Sequence, residues 1–238
     1  IARLDLKELA MGFALAGLVY LPLCWFEFRF SAQLHGLVYA IKTAGITRYG
    51  EMGLPFYRPG VFMGNGLIVS MFMGGATICA FYLWFTGAVK RLFGFPFLVY
   101  VVALYLTTML CQVMGAAVLV NAGLAVICMT RWSKNRVFFA VMLAMPLLYI
   151  GTRANALWTG ESIVSFIVEN ISERRGKSLE VRFENETPLI SKALEERWLG
   201  WGRWGRSRVV NEQGRDISIT DGLWVIYFGR HGLVGLTG

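Results

Sequence analysis

The chain has 238 residues, 56% of them hydrophobic, and a formal net charge of +8 at pH 7. Soluble domains contain about 45–50% apolar residues, so this composition indicates a membrane protein and argues against an ordinary soluble domain. It also argues against a nucleic-acid binder: the polar segment 151–222 carries eleven basic and eleven acidic residues, so the basic surplus lies among the apolar runs.

The N-terminal third contains two long apolar runs, 9–26 and 61–85. A helix needs about 20 mostly apolar residues to cross a bilayer, so each run predicts a membrane span. The polar segment between them, 29–60, contains a shorter apolar stretch at 34–41, which is typical of a short helix on the membrane surface.

A longer run, 97–129, contains no charged residue and has two interpretations. As one helix it would be about 50 Å long, against a hydrocarbon core of about 30 Å, and would tilt steeply. As two shorter spans it would turn tightly near 112–115. A further short span follows at 137–150, where Pro146 predicts a kink, and a last span opens at Leu223.

Basic residues near the span ends predict the orientation, because they favour the cytoplasmic side of a membrane. With the N-terminus inside, the N-terminal flank, the pair Lys90 and Arg91 and the loop 131–136 all face the cytoplasm. One helix over 97–129 would place the basic loop 131–136 outside. The charge rule therefore favours two spans.

These patterns predict an all-α fold, a polytopic transmembrane helix bundle with one large extracytoplasmic loop that contains short helices. Residues 1–150 would form about five spans, 151–222 the loop, and 223–238 the start of a further span. Because the chain begins at Ile1 and ends within an apolar run, we expect it to be a fragment of a longer protein.

The predicted loop has local patterns of its own. Residues 179–199 place apolar side chains among charges at roughly helical spacing, with Pro188 suited to a first turn. The stretch 174–177 predicts a loop, and the apolar stretch 162–168 predicts a helix that leaves the membrane. The glycines of 200–205 predict the end of the longer helix.

Arginines in the polar segment are candidates for holding phosphate, because guanidinium is always charged and grips phosphate oxygens in a planar fork. They are Arg153, Arg182, Arg197, Arg203, Arg206 and Arg208. Arg153 directly follows a predicted span and would lie at the height of the lipid headgroups. The alternative is a solvated face, in which acidic side chains of the same segment pair with the arginines.

Three tryptophans stand among glycines in WLGWGRWGR, residues 198–206. Indole rings stack on sugars, and they also anchor proteins at the membrane interface. Trp198, Trp201 and Trp204 are therefore candidates for contact with glycan or with lipid. Either role places them at the bilayer edge.

Asp221 stands immediately before the last apolar run. Its carboxylate is suited to act as a general base toward an acceptor hydroxyl, and equally to cap a helix that begins at Leu223. The two histidines, His35 and His231, are too few and too far apart in sequence to suggest a metal site. The sequence has no phosphate-binding glycine loop and no nucleophile elbow, so we expect neither a metal nor a cofactor.

Two parts of the polar segment resemble the large periplasmic loop of O-antigen ligases and related Wzy-type polymerases. Asp221-Gly222, nine further residues and Gly232-Leu-Val-Gly235 resemble the signature that closes that loop. Upstream, Arg182, Ala193-Leu194 and Trp198-Leu-Gly-Trp-Gly resemble the arginine, helix and Gly-x-Gly pattern of the family. Asp221 occupies the position of the family's histidine. The stretches RFSAQLHGLVYA and FYRPGVFMGNG are similar to a bacterial subgroup of such proteins.

The resemblance implies a metal-independent glycosyltransferase of the GT-C type in a bacterial inner membrane. It would move a glycan from undecaprenyl pyrophosphate to an acceptor sugar on the outer face. Arg182 matches the family's loop arginine and Asp221 its catalytic position, while Arg153 would be a second pyrophosphate contact. The remaining substrate contacts would come from Arg197, Arg203, Arg206, Trp201 and Trp204.

The resemblance does not separate a ligase from a polymerase of the same class. A polysaccharide export component and a non-catalytic scaffold are alternatives from other functional classes. Transporters tend to place charged residues or broken helices at mid-membrane. Nearly all charged residues of this chain lie outside the predicted spans, which argues against transport.

Overall fold

The computed structural model describes residues 5–40, 48–50, 53–155, 157–170, 172–203, 205–219 and 222–237. That part of the chain is mostly helical, and its named strands form one short hairpin. The chain divides into two compact units, Ile1–Phe139 and Ala140–Gly238.

The first unit contains helices α1 to α5 and the hairpin. The helices are α1 (Leu6–Phe30), α2 (Leu34–Tyr39), α3 (Gly66–Phe85), α4 (Phe97–Leu110) and α5 (Met114–Ser133). Strands β1 (Arg91–Leu92) and β2 (Phe95–Pro96) pair antiparallel between α3 and α4. Helix α6 (Val137–Ala154) begins at the end of this unit and continues into the second, which also contains α7 (Glu161–Asn170), α8 (Glu173–Glu195) and α9 (Leu223–Thr237).

Four helices among the described residues are long and apolar enough to cross a membrane, namely α1, α3, α5 and α6. The predicted class, a mostly helical protein with several helices of the length and composition of membrane spans, is confirmed. The fifth apolar helix, α4, has only 14 residues, which is short of the roughly 20 that a span needs. The assignment of residues 1–150 to the membrane and of 151–222 to an extracytoplasmic loop stays a prediction.

The uncharged run 97–129 forms two helices, as one of the two interpretations predicted. The break lies between α4 and α5, where Gln112 adopts a left-handed conformation with φ 57°. The Tyr105 hydroxyl of α4 donates a hydrogen bond of 3.0 Å to Oδ1 of Asn121 in α5. Because these residues lie on opposite sides of the break, the chain reverses direction there.

Helix α3 begins later than the apolar pattern predicts. Residues Val61–Met63 form a 3-10 turn instead of the first turn of the span. Asn65 then caps α3, since its side-chain oxygen accepts the amide of Leu67 at 2.9 Å. This cap satisfies an amide that has no partner within the helix, so the helix begins at Gly66.

Helices α1 and α3 approach closely at small residues. A Cβ on Gly17 would lie 2.4 Å from the Cβ of Ala76. Farther along, the hydroxyls of Thr77 and Thr108 lie 2.9 Å apart and join α3 to α4. Small side chains and short polar contacts of this kind hold membrane helices together, because lipid supplies no hydrophobic drive between helices.

Glu27, near the end of α1, is a buried carboxylate that no sequence motif singled out. Its Oε1 accepts the amide of Leu34 at 2.9 Å, and its Oε2 accepts the amides of Gly60 and Val61 at 2.8 and 2.6 Å. One side chain thereby attaches both the start of α2 and the chain before α3 to the end of α1.

Helix α8 corrects two local predictions. It begins at Glu173, so residues 174–177 are helical and do not form the predicted loop. Gly176 lets α7 pack closely there, because a Cβ on it would lie 2.2 Å from the side chain of Val168. Pro188 lies inside α8 rather than in its first turn. Burial of Leu189 and Ile190 just after the proline outweighs the helical hydrogen bond that proline removes. The helix ends at Glu195, before the glycines, as predicted.

The close approach of α1 and α3 predicts different effects for two alanine substitutions in the same helix. Gly17→Ala should lower the free energy of unfolding of the full chain by about 1–3 kcal/mol, because overpacking forces the two helices apart. Gly12→Ala should be neutral or stabilising by up to about 1 kcal/mol, because a Cβ there meets nothing within 4 Å. Thermal unfolding in detergent measures both, and equal effects would contradict the close packing.

Candidate functional site

The second unit contains a broken helix that is hydrogen-bonded to the tryptophan-rich loop. Helix α9 is interrupted at Gly232, with φ 63° and ψ −163°. On one side of the break, the amides of Leu233 and Val234 donate to the carbonyls of Arg197 and Trp198 at 2.9 and 3.2 Å. The loop and the break therefore share backbone hydrogen bonds.

In two further hydrogen bonds the loop donates and the helix accepts. The amides of Trp201 and Gly202 donate to the carbonyls of Gly229 and Arg230, each at 2.9 Å. An interrupted helix leaves amides and carbonyls without their usual partners, and the loop 197–202 supplies partners to both sides of the interruption. We call these four backbone hydrogen bonds the loop clamp.

The loop clamp requires glycine at the two places where the backbones cross. A Cβ on Gly200 would lie 2.5 Å from the amide nitrogen of Gly232, and a Cβ on Gly232 would lie 2.2 Å from the carbonyl oxygen of Trp198. Both glycines also have positive φ, at 69° and 63°. A side chain at either position would separate the two segments.

The tryptophans of the loop differ in what they expose. The indole nitrogen of Trp201 donates to the carbonyl of Lys192 at 2.7 Å, and the Lys192 ammonium lies 3.9 Å from the ring centroid. One face of this ring is therefore occupied. Trp198 is 68% exposed although its carbonyl belongs to the loop clamp. Trp204 lies outside the described residues.

Four of the predicted arginines are exposed, namely Arg182 on α8 and Arg197, Arg203 and Arg206 in the loop after it. The side chains of Arg182, Arg203 and Arg206 form no hydrogen bond or ion pair with any residue that the structure describes. Arg197 instead donates to Oδ1 of Asn155 and lies over the ring of Trp198, 5.8 Å from its centroid.

Arg208 is bound to a carboxylate. Its Nη1 lies 2.6 Å from Oδ2 of Asp216, whose Oδ1 accepts the hydroxyl and the amide of Ser218. The Ser218 hydrogen bonds and the Arg208 guanidinium lower the pKa of Asp216 to about 2. Asp216 is therefore ionised at neutral pH and neutralises Arg208, while the exposed arginines have no such partner among the described residues.

Arg153 lies at the end of α6 but points inward, with 4% of its surface exposed. Its Nη1 donates to the carbonyls of Trp158 and Thr159 at 3.1 and 3.2 Å. Its Nη2 contacts the carbonyl of Phe183 at 3.4 Å and Oε2 of Glu186 at 3.5 Å. The remaining Nε is buried and has no hydrogen-bond partner in the described chain. Buried donors are rarely left unpaired, so this nitrogen has capacity for one more acceptor.

Glu186 is the buried charge opposite Arg153, and no sequence motif singled it out. The Tyr149 hydroxyl donates to its Oε2 at 2.9 Å, and the Trp224 indole donates to its Oε1 at 3.2 Å. The available signal was its spacing, because Glu186 falls in the same helical stripe as the buried Leu189, Ile190 and Ala193. A carboxylate in an apolar stripe indicates a buried, paired group.

The backbone beside two predicted catalytic residues reaches this cluster. The carbonyl of Phe183, the residue after Arg182, accepts from Arg153. A Cβ on Gly222, the residue after Asp221, would lie 3.0 Å from Oε1 of Glu186. Asp221 itself lies outside the described residues, so its two possible roles, base and helix cap, stay predictions.

No protein-family model, curated protein or solved structure matches this chain. Within the described ranges, no group of three or more His, Cys, Asp or Glu side chains is arranged to hold a metal ion.

The loop clamp predicts a difference between two neighbouring glycines. Gly202 has φ 76° and open space where a Cβ would be, whereas Gly200 has φ 69° and a neighbour at 2.5 Å. Gly202→Ala should cost about 1–2 kcal/mol of unfolding free energy from its left-handed backbone alone. Gly200→Ala should cost about 1–3 kcal/mol more, because the loop must also move off α9. Denaturant unfolding measures the difference, and its absence would contradict the crossing.

Proposed function

We propose that this chain transfers a glycan from an undecaprenyl-pyrophosphate-linked donor to an acceptor sugar, as its resemblance to O-antigen ligases implies. The supporting observation is the loop clamp. The two motifs that carry the resemblance, 198–202 and 232–235, lie about 30 residues apart, and each supplies part of these hydrogen bonds to the other segment. The resemblance assigns both motifs to one site, and this contact agrees with that assignment.

In this proposal the exposed arginines bind the pyrophosphate of the donor. Arg182, Arg203 and Arg206 present guanidinium groups that no described residue neutralises. Such groups form charge-assisted, bidentate hydrogen bonds with phosphate oxygens. Arg153 is enclosed in this structure, and its unpaired Nε offers one further donor to an oxygen that enters the cluster.

Asp221 is the proposed proton acceptor. The acceptor hydroxyl attacks the anomeric carbon of the donor sugar while the bond from that carbon to the pyrophosphate oxygen breaks. The hydroxyl proton passes to the Asp221 carboxylate, and undecaprenyl pyrophosphate leaves with the bonding electron pair. The arginines screen the carboxylate from the negative donor. Exposed Trp198 and its neighbours contact glycan or the lipid edge.

We infer a bacterial inner-membrane location with 151–222 outside the cytoplasm, because that arrangement places the short basic loops inside. A polymerase of the same class would use this site with a lipid-linked sugar chain as its acceptor. Both activities use the same donor and the same bond changes.

The test is glycan transfer by the full-length protein in vesicles that contain a lipid-linked donor. Arg182→Ala should lower transfer by about 10–100-fold, the loss expected for a hydrogen bond to a charged group. Asp221→Asn should lower it by about 100-fold or more, because the amide cannot accept the proton. Asparagine remains a good helix cap, so this variant separates the two roles of Asp221.

Arg174→Ala is the matched control, since Arg174 is an exposed arginine on the same helix as Arg182 and outside the proposed site. It should transfer at the wild-type rate. Wild-type transfer by both Arg182→Ala and Asp221→Asn would refute these residue roles, and absence of transfer by the wild-type protein would refute the proposed function.

A further inference from the structure

Glu186 is the carboxylate that helices α6, α8 and α9 share. It lies on α8 and is 7% exposed. It receives hydrogen bonds from the Tyr149 hydroxyl of α6 at 2.9 Å and from the Trp224 indole of α9 at 3.2 Å. Arg153 of α6 lies 3.5 Å from it. The rings reinforce the arrangement, because Tyr149 makes an edge contact with Trp224 at 5.9 Å between centroids.

Stability alone does not account for this buried charge. A buried ion pair contributes little net stability, because removing two charges from water costs about as much as their attraction returns. The short contacts of Glu186 come from neutral donors, and its cationic partner is the more distant one. In many proteins, apolar side chains of similar volume replace a whole buried ion pair without loss of stability.

The Glu186 carboxylate fixes backbone positions near the start of α9 and on α8. Trp224 is the second residue of α9, and a Cβ on Gly222 would lie 3.0 Å from Oε1, so the chain that leads into α9 passes against Glu186. On the other side, Arg153 links Glu186 to the carbonyl of Phe183, next to Arg182. The two backbone positions beside the proposed catalytic pair therefore meet at the paired side chains of Arg153 and Glu186.

We propose that Glu186 is a positioning residue for glycan transfer, which holds the start of α9 and the turn of α8 that carries Arg182 in register. This inference rests on the proposed function. Glu186 itself does not contact the substrate in this role. Misplacement of a reacting group by about 1 Å can cost about 100-fold in rate, so loss of the carboxylate should affect turnover more than donor binding.

The experiment compares Glu186→Gln with Glu184→Gln in the full chain, with kcat and donor KM measured separately. Glu184 is exposed on the same helix, and its side chain makes no hydrogen bond or ion pair with the described residues, so its variant should match the wild type. Glu186→Gln should lower kcat by about 10–100-fold while donor KM changes by less than about 3-fold. The pH profile of its residual activity should keep the wild-type form.

Tyr149→Phe and Trp224→Phe provide a second measurement, because each removes one neutral donor and leaves the ion pair in place. Each should lower kcat by about 3–10-fold. In the double variant, Tyr149→Phe should lower kcat by less than it does in the wild-type background, because both changes remove the same interaction. These two variants carry the test if Glu186→Gln fails to fold.

Four results would overturn the proposal, and they distinguish a failure of the positioning role from a failure of the proposed function. A folded Glu186→Gln protein with wild-type kcat removes the positioning role, as do Tyr149→Phe and Trp224→Phe proteins that both turn over normally. A pH profile of Glu186→Gln that loses its acidic limb makes Glu186 the proton acceptor instead. A wild-type chain without transfer activity overturns the proposed function itself and this role with it.

Discussion

The second unit depends on backbone hydrogen bonds between a loop and a broken helix. Interruption of α9 at Gly232 leaves amides and carbonyls that need partners, and the loop 197–202 supplies them on both sides of the break. Unpaired backbone groups away from water are costly, so helix and loop stabilise each other. The glycines at the crossing are required because no Cβ fits between the two backbones.

A second connection, through Glu186, joins the other end of α9 to α6 and α8. Helix α9 is thus fixed near its start by side chains and near its break by backbone. The same unit carries exposed arginines without an acidic partner among the described residues, and an exposed tryptophan. Exposed cations and an exposed indole ring suit a charged, sugar-bearing lipid, and this combination supports the proposed glycan transfer.

Features that depend on composition and local geometry were predictable from the sequence. The apolar runs predicted α1, α5 and α6, the length of 97–129 predicted the break near Gln112, and the glycines after Trp198 predicted the end of α8. Features that depend on a partner far away in the sequence were not predictable. Gly176 and Pro188 are helical because of packing, and Glu27 and Glu186 are buried because their donors arrive from other segments. The arginines at 182, 203 and 206 are exposed as their proposed role needs, whereas Arg153 points inward.

Hydrogen exchange at single amides tests the loop clamp most directly. The amides of Trp201 and Gly202 lie in a loop, where exchange is ordinarily fast, but here each donates to a carbonyl of α9 at 2.9 Å. The account predicts that both exchange as slowly as the neighbouring amides of α9, because they open only when the helix and the loop separate. Exchange of both amides at the rate of an unstructured peptide, with α9 still protected, would contradict it.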